Sequence, residues 1–222
     1  MSHLKRISIE RSWPLPRKGT KYLLKAYPGK KSEISMPLGI MIRDVLKLAS
    51  TRKEVKSMLH SKEVSIDGKI ITEEKFPVGI FDIMIIKKIG KNFIITLNES
   101  GKISPEEISD KETSQKICKV IGKKVLKNKV QQINCIDGKN FVSKEKVSTN
   151  DSVIVDLKES KIMKVLPLKA GAEVLITGGE HIGEKGKIVE KNETPEIASE
   201  QIKNAIQLSV PQTTLGYAGW VA

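Results

Sequence analysis

Basic side chains are the residues of this sequence whose types and spacing most clearly predict a chemistry, which is the binding of phosphate. Arg43 and Lys47 lie four positions apart in a segment with helical spacing of apolar residues, so we expect them to share one helix face. Arg52, Lys53 and Lys56 fall on the outward side of a second predicted helix. Ammonium and guanidinium groups gathered on one exposed surface suit the phosphates of a nucleic acid.

The first 31 residues carry more than half of the excess positive charge. The whole chain has a formal net charge of +13, and residues 1–31 contribute nine basic residues against Glu10 alone, which is +8. Such a segment, short of apolar residues, predicts an extended arm that is poorly ordered alone and folds onto a polyanion. Its candidate RNA-binding residues are Lys5, Arg6, Arg11, Arg17, Lys18, Lys21 and Lys25.

Trp13 is a candidate for an RNA contact of a different kind. It lies between Arg11 and Arg17, where it could stack on a base or sugar. Stacking of this kind contributes roughly 1–3 kcal/mol per base in single-stranded complexes. The alternative is an anchor that pins the arm to the protein's own surface, and the sequence leaves both roles open.

The glycine-rich segment at residues 169–190 does not have the spacing of a nucleotide-binding loop. A phosphate-binding loop requires glycine five positions before the Gly186-Lys187 pair, and that position is His181. The dinucleotide fingerprint requires glycine two positions before Gly183, and His181 occupies that position as well. The glycines therefore predict a loop between two strands rather than a cofactor site.

Catalytic and metal-binding chemistry is not indicated either. His3, His60 and His181 lie in separate segments and show no metal-ligand spacing with each other or with the cysteines. Cys118 and Cys135 form no Cys-x-x-Cys pair and are too few for a disulfide framework, which fits a reducing cytoplasm. We expect no catalytic residue, no metal, no cofactor and no small-molecule substrate.

Two short helices followed by a β-hairpin are predicted to position the cations of residues 36–90. Thr51 followed by Glu54 predicts a capping box that opens the second helix. Asp67-Gly68 then divides a run of alternating residues, and this dipeptide is the strongest short signal for a hairpin. This order of elements resembles the S-four RNA-binding domain, a fold shared by several families of RNA-handling proteins.

Residues 101–168 predict a small β-rich domain. Ser104–Glu107 has the composition of a helix start, but the run stays polar and strands follow it. Asp137-Gly138 repeats the hairpin signal, and a further alternating strand follows Asp151. The lysines of this domain are expected mainly on a solvated face.

Residues 169–195 resemble the KOW motif, a strand-loop-strand element of small β-barrels in ribosomal proteins and transcription elongation factors. The match rests on Gly171, Val174, Gly178, Gly183, Gly186 and Ile188. The resemblance makes three residues of the loop candidates for contacts with RNA: Gly178, Gly183 and Lys185.

The order of these segments, with an opening His3-Leu4-Lys5-Arg6 and with Trp13, resembles the small-subunit ribosomal protein S-four-e family of archaea and eukaryotes. The resemblance covers about residues 1–195. It implies an α+β, β-rich fold made of a basic extended N-terminal arm, an S-four-like helix pair with a hairpin sheet, a small central β domain and a KOW-type, SH3-like β-barrel. The corresponding boundaries are 1–35, 36–100, 101–168 and 169–195, followed by a divergent segment at 196–222.

The divergent segment departs from the pattern of the family, which would continue the barrel with more strands and a basic end. Glu196–Gln207 looks weakly helical, and no charged residue follows Lys203. We expect no functional role for Tyr217 or Trp220.

The resemblance implies a structural, non-catalytic protein of the small ribosomal subunit that supports subunit assembly and translation. Its partners would be small-subunit ribosomal RNA and neighbouring ribosomal proteins, in cytoplasmic ribosomes. Two alternatives remain open from the sequence: an RNA-modifying enzyme or its RNA-binding subunit, and a KOW-containing transcription elongation factor. No apolar run approaches the roughly 20 residues of a membrane span, so no membrane partner is expected.

Overall fold

Strands dominate the fold, and helices are few. The computed structural model describes residues 3–126, 130–144, 146–179 and 181–188, together with the backbone of residues 205–207. The chain divides into two compact units, Met1–Ile108 and Ser109–Ala222. The prediction of a β-rich fold with few helices is confirmed.

Two short antiparallel ribbons fold the N-terminal part of the chain back on itself. In the first ribbon, β1 (Leu4–Lys5) pairs with β2 (Tyr22–Leu23). In the second, β3 (Ser35–Pro37) pairs with β6 (Pro77–Gly79).

The N-terminal segment is therefore not the extended arm that the sequence predicted. The Trp13 side chain is only 4% exposed, and the backbone N–H of Ile103 donates to the carbonyl of Ser12 at 2.7 Å. Lys30 forms an ion pair with Asp82, whose side chain is fully buried. These contacts and the two ribbons join the N-terminal segment to the rest of the first unit.

The first unit contains a five-stranded antiparallel sheet. Its strands, in spatial order, are β5 (Lys69–Ile70), β4 (Val64–Ile66), β7 (Ile83–Ile86), β8 (Lys91–Leu97) and β9 (Ile103–Ile108). Asp67 and Gly68 form the β4–β5 turn with φ of 49° and 77°, as the predicted hairpin requires.

Ser104–Glu107 have the composition of a helix start, but they lie in β9. Pro105 stands opposite Ile95 of β8, and pairing with that strand determines the backbone conformation. Tertiary pairing therefore overrides the local composition of a helix start.

The two predicted helices are both present, but the first is short. α1 (Leu38–Ile40) continues as a π-helical segment over Met41–Val45, and α2 covers Arg52–His60. The capping box is confirmed: Thr51 Oγ1 accepts from the Glu54 backbone N–H at 3.3 Å, and the Glu54 carboxylate accepts from the Thr51 N–H at 3.3 Å. Within the described residues, no helix combines the length and the apolar character that a membrane span requires.

The second unit contains another five-stranded antiparallel sheet. Its strands, in spatial order, are β12 (Asn140–Ser143), β11 (Gln131–Cys135), β10 (Gln115–Val125), β13 (Ser152–Asp156) and β14 (Lys161–Leu166). The predicted hairpin at Asp137-Gly138 connects β11 to β12. Aliphatic residues from alternate strand positions, with Cys118, Cys135 and Phe141, form the core.

Two lysines of this unit are exceptions to the expected, mainly solvated basic face. Lys116 is 2% exposed, and its Nζ lies 2.6 Å from Asp137 Oδ2. Lys119 is 4% exposed, and burial lowers the pKa of its ammonium group to about 8. Both stand on β10, the central strand of the sheet, within the stretch 116–120 in which every residue is buried.

A three-stranded antiparallel sheet follows in the second unit. Its spatial order is β16 (Lys185–Lys187), β15 (Glu173–Ile176) and β17 (Ala205–Gln207). The weakly helical expectation for 196–207 is wrong at Ala205–Gln207, which are extended because they pair with β15. The rest of the divergent segment, including Tyr217 and Trp220, lies outside the described residues.

Candidate nucleic-acid interface

An open groove in the first unit brings the N-terminal segment and the helix pair together. Its volume is about 1120 Å³, and residues of the N-terminal ribbon form part of its lining together with residues from α1 and the start of α2. The basic residues that line it are Arg6, Lys25, Arg43, Arg52 and Lys75. Asp44 and Glu74 are the acidic residues of the lining, so cations outnumber carboxylates.

Arg52 is fixed on the groove by Glu74. Arg52 Nε donates to Glu74 Oε2 at 2.8 Å, and Arg52 Nη2 donates to Glu74 Oε1. The Glu74 side chain is 7% exposed, whereas that of Arg52 is 56% exposed. The hydrogen bond raises the pKa of Arg52 and lowers the pKa of Glu74, and Lys56 Nζ lies 3.9 Å from the same carboxylate. The buried Glu74 carboxylate thus holds the exposed Arg52 guanidinium in one orientation.

Arg43 is paired with its neighbour in sequence. Its Nε and Nη2 donate to the two carboxylate oxygens of Asp44 at 3.0 and 2.7 Å. This hydrogen bonding raises the pKa of Arg43. Part of the positive charge predicted for this face is therefore balanced within the protein.

The structure does not place Arg43 and Lys47 on one helix face. The helical segment ends before Lys47, whose φ of 54° is left-handed, as is common just after a helix end. Lys47 and Lys53 are exposed but do not line the groove. Of the five cations predicted on the helix pair, the groove brings together Arg43 and Arg52.

A second, smaller cleft gathers the cations of the N-terminal segment. It has a volume of about 300 Å³, and Arg6 and Thr20 line both this cleft and the groove. The Arg6 backbone N–H donates to the Lys21 carbonyl at 3.0 Å, and the side-chain atom Arg6 Nη1 donates to the Pro16 carbonyl at 2.9 Å. Five predicted RNA-binding residues line the cleft: Lys5, Arg6, Arg17, Lys18 and Lys21. None of the described residues that line it is acidic.

The sequence left two roles open for Trp13, and in the structure this residue is an anchor for the N-terminal segment. Its Nε1–H donates to the Ser35 carbonyl at 2.9 Å and to the Ser32 carbonyl at 3.3 Å. A ring that is 4% exposed has no face available for a base. Arg11 is exposed, and it lines neither the groove nor the cleft.

Sequence reasoning missed two aromatic residues of the groove, Tyr22 and Tyr27. Tyr22 is 49% exposed and Tyr27 is 40% exposed, and both line the groove. Lys21 Nζ lies 5.4 Å from the centre of the Tyr22 ring. The alternation of lysines and tyrosines in Lys21-Tyr22 and Lys25-Ala26-Tyr27 was the signal that could have identified them.

The candidate loop residues Gly178, Gly183 and Lys185 lie in the second unit. Gly183 is buried with φ of 91°, and its N–H donates to the Ile176 carbonyl at 2.8 Å. Lys185 is exposed at the start of β16, opposite Leu175. The strand-loop-strand arrangement predicted for this segment is present, and its contact with RNA stays a prediction.

Comparison with known proteins decides the family. A model described as Ribosomal family S4e matches residues 89–162. Small ribosomal subunit protein eS4 of Methanocella arvoryzae is 37% identical over 190 residues, covering 85% of this chain and 80% of the relative. The chain belongs to the S4e family of ribosomal proteins. The resemblance stated from the sequence is thereby confirmed.

Two further relatives of this S4e chain agree with that assignment. Small ribosomal subunit protein eS4 of Archaeoglobus fulgidus is 34% identical, covering 84% of this chain and 78% of the relative. The crystal structure of the 30S ribosomal protein S4e from Thermoplasma acidophilum matches with a TM-score of 0.69 at 26% identity. That match covers 80% of this chain and 96% of the solved one.

Proposed function

We propose that this chain is a structural, non-catalytic constituent of the small ribosomal subunit that binds ribosomal RNA through its first unit. The observation that carries the RNA-binding part is that cations from the N-terminal segment and from the helix pair line one groove. Membership of the S4e family supports the place in the small subunit, because the relatives are named as proteins of that subunit.

Phosphate is the chemical group that the cleft and groove suit best. The cleft presents lysines and arginines with no acidic residue among its described lining, so an anion there meets attraction from several sides. Each phosphate contact releases condensed counterions, and the logarithm of the affinity should fall with the logarithm of salt by about 0.7 to 0.9 per contact. Arg52, held by Glu74, adds a preoriented guanidinium.

The finer assignments belong to the same proposal. The helix pair with the β4–β5 hairpin corresponds to an S-four-like module, and the β15–β16 segment corresponds to a KOW motif. We propose that neighbouring small-subunit proteins are further partners and that the protein functions in cytoplasmic ribosomes. The candidates predicted from the sequence that lie outside the groove and the cleft remain proposed RNA contacts: Arg11, Lys47, Lys53, Lys56, Gly178, Gly183 and Lys185.

Removing three lysine charges from the cleft tests the proposal without disturbing the Arg52–Glu74 contact. We expect Lys5→Ala, Lys18→Ala and Lys21→Ala together to weaken RNA binding and to reduce the salt slope by about 0.7 per lost contact. In a cell lysate, the triple variant should also leave the small-subunit fraction of a sucrose gradient at lower salt than the unchanged protein.

A matched variant distinguishes a specific surface from net charge alone. Lys144→Ala, Lys158→Ala and Lys164→Ala remove the same number of exposed charges from the second unit. The proposal predicts a smaller loss for this variant. Equal losses would show that the cleft is not the interface, and sedimentation of the unchanged protein away from the small subunit would contradict the function itself.

A further inference from the structure

The two tyrosines of the groove are unusual in this chain because their rings are open to solvent. Aromatic residues make up only 4% of the sequence. Of the described phenylalanine, tyrosine and tryptophan side chains, only Tyr22 and Tyr27 are exposed. An aromatic ring left in water on a basic surface is available to stack on a planar ligand.

The backbone holds each tyrosine at the groove. Tyr22 lies in β2 and stands opposite Lys5 in the first ribbon. The Tyr27 N–H donates to the Lys75 carbonyl at 2.8 Å, which ties this part of the N-terminal segment to the chain before β6. The rings are thus placed by hydrogen-bonded backbone rather than by a free loop.

A lysine ammonium group lies near each of the two tyrosine rings. Lys21 Nζ lies 5.4 Å from the centre of the Tyr22 ring, and Lys75 Nζ lies 5.5 Å from the centre of the Tyr27 ring. The His3 ring is 5.4 Å from that of Tyr22, with the two planes at 49°. These ammonium groups lie over the rings, so a ligand that stacks on either tyrosine would have a cation close by.

A nucleotide that is not base-paired matches this pairing of ring and cation. Its base offers a flat face for the tyrosine, and its phosphate offers an anion for the lysine. A duplex offers phosphates but keeps its base faces stacked inside, so it could use only the cations. An acidic peptide would satisfy the cations but would leave the two rings without a planar partner.

We propose that the groove binds an unpaired segment of RNA, with bases stacked on Tyr22 and Tyr27 and phosphates beside Lys21 and Lys75. This inference rests on the proposed function and goes beyond it. It specifies single-stranded RNA as the ligand of the groove, and it assigns to two tyrosines a role that charge alone cannot supply.

The test compares a fluorescent single-stranded RNA of roughly 12 nucleotides with a duplex of the same sequence, using the full chain. Tyr22→Leu and Tyr27→Leu keep an apolar side chain but remove the ring. Each is expected to weaken single-strand binding roughly 5- to 100-fold, with duplex binding changed less than about 2-fold. The salt slope should not change, because no phosphate contact is lost.

Conservative variants separate stacking from structure. Tyr22→Phe and Tyr27→Phe keep the ring face, so they should retain single-strand affinity to within about 3-fold. Thermal unfolding of each variant verifies that the first unit stays folded. Equal losses for single strand and duplex, or equal losses in the leucine and phenylalanine variants, would overturn the stacking role.

The remaining outcomes distinguish this inference from the proposed function. If the leucine variants bind single-stranded RNA as tightly as the unchanged protein, stacking is excluded while RNA binding by the cations stands. If those variants keep their RNA affinity but leave the small-subunit fraction, the groove holds a protein neighbour and the inference is overturned. If the unchanged protein binds neither RNA, the inference and RNA binding by the first unit fail together.

Discussion

Ion pairing divides the basic residues of the candidate interface into two kinds. Arg43 and Arg52 each donate two N–H groups to a carboxylate of the protein, so part of their charge is already satisfied. The cleft formed by the N-terminal cations has no described acidic residue in its lining. The positions of the cations along the chain follow from the sequence. The Arg52–Glu74 pair joins residues 22 positions apart, so only the folded structure identifies it.

Lys119 makes stability depend on pH in a direction that the fold determines. Burial lowers its pKa from 10.5 to about 8, so between these values the unfolded chain binds more protons than the folded one. The free energy of unfolding should therefore rise as the pH increases from about 8 toward 10.5.

Replacing this lysine should abolish that dependence. We expect Lys119→Met to flatten the rise of the free energy of unfolding between about pH 8 and pH 10.5, because the variant has no group at this position to titrate. Urea unfolding at several pH values measures this effect. Lys124→Met, an exposed position on the same strand, is the control. An unchanged rise of stability at alkaline pH in the Lys119→Met variant would contradict the assignment.

At the scale of elements, the N-terminal segment is a folded part of the first unit rather than an appendage. Trp13 is buried and donates to carbonyls of Ser32 and Ser35, and β1 pairs with β2. The cations of the cleft are thereby displayed on a defined backbone. Ordering the segment before RNA arrives reduces the conformational entropy that binding would otherwise lose.

Trp13 should hold the N-terminal segment against the rest of the first unit. Trp13→Ala is expected to destabilise the protein by about 3–5 kcal/mol and to speed tryptic cleavage at Arg17 and Lys18. Trp13→Phe keeps an aromatic ring but removes the N–H donor, so a loss of about 1 kcal/mol and little extra cleavage are expected. Limited proteolysis and urea unfolding provide the two measurements. Unchanged cleavage of the alanine variant would show that the indole does not hold the segment.

Local signals predicted some elements and missed others. The Asp67-Gly68 turn and the capping box at Thr51 were predicted correctly, because each depends on residues within a few positions. The first helix ends earlier than its apolar spacing indicated, and Ser104–Glu107 forms a strand. These two outcomes depend on what packs or pairs with the segment, which local sequence does not contain.

At the scale of the whole molecule, the excess of +13 is concentrated where the chain doubles back. Residues 1–31 contribute +8 to it, and they also supply Trp13 and Lys30, which contact the rest of the first unit. The same short segment therefore provides both charge for RNA and contacts for folding. Removing it should affect both properties at once.

Deleting residues 1–31 is accordingly expected to destabilise the first unit. The deletion removes Lys30 from its ion pair with the buried Asp82 and also removes the buried Trp13, and loss of one member of a buried ion pair costs several kcal/mol. Hydrogen exchange should show lost protection in β7 and β8 while protection in β10 and β13 is retained. The Lys5, Lys18 and Lys21 alanine variant, which keeps the backbone, is the control. Full protection in the deletion variant would instead support the extended arm that the sequence predicted.

The sequence by itself determined the charge distribution, the hairpin turns and the capping box, because these are read from residue types and short spacings, and its resemblance to known proteins indicated the family. The tertiary structure decided which cations meet in the groove, which are paired, and that Trp13 and Lys119 are buried. These outcomes depend on contacts between segments distant along the chain. Burial and ion pairing arise only when folding brings such segments together, and they determine which charged groups remain available to RNA.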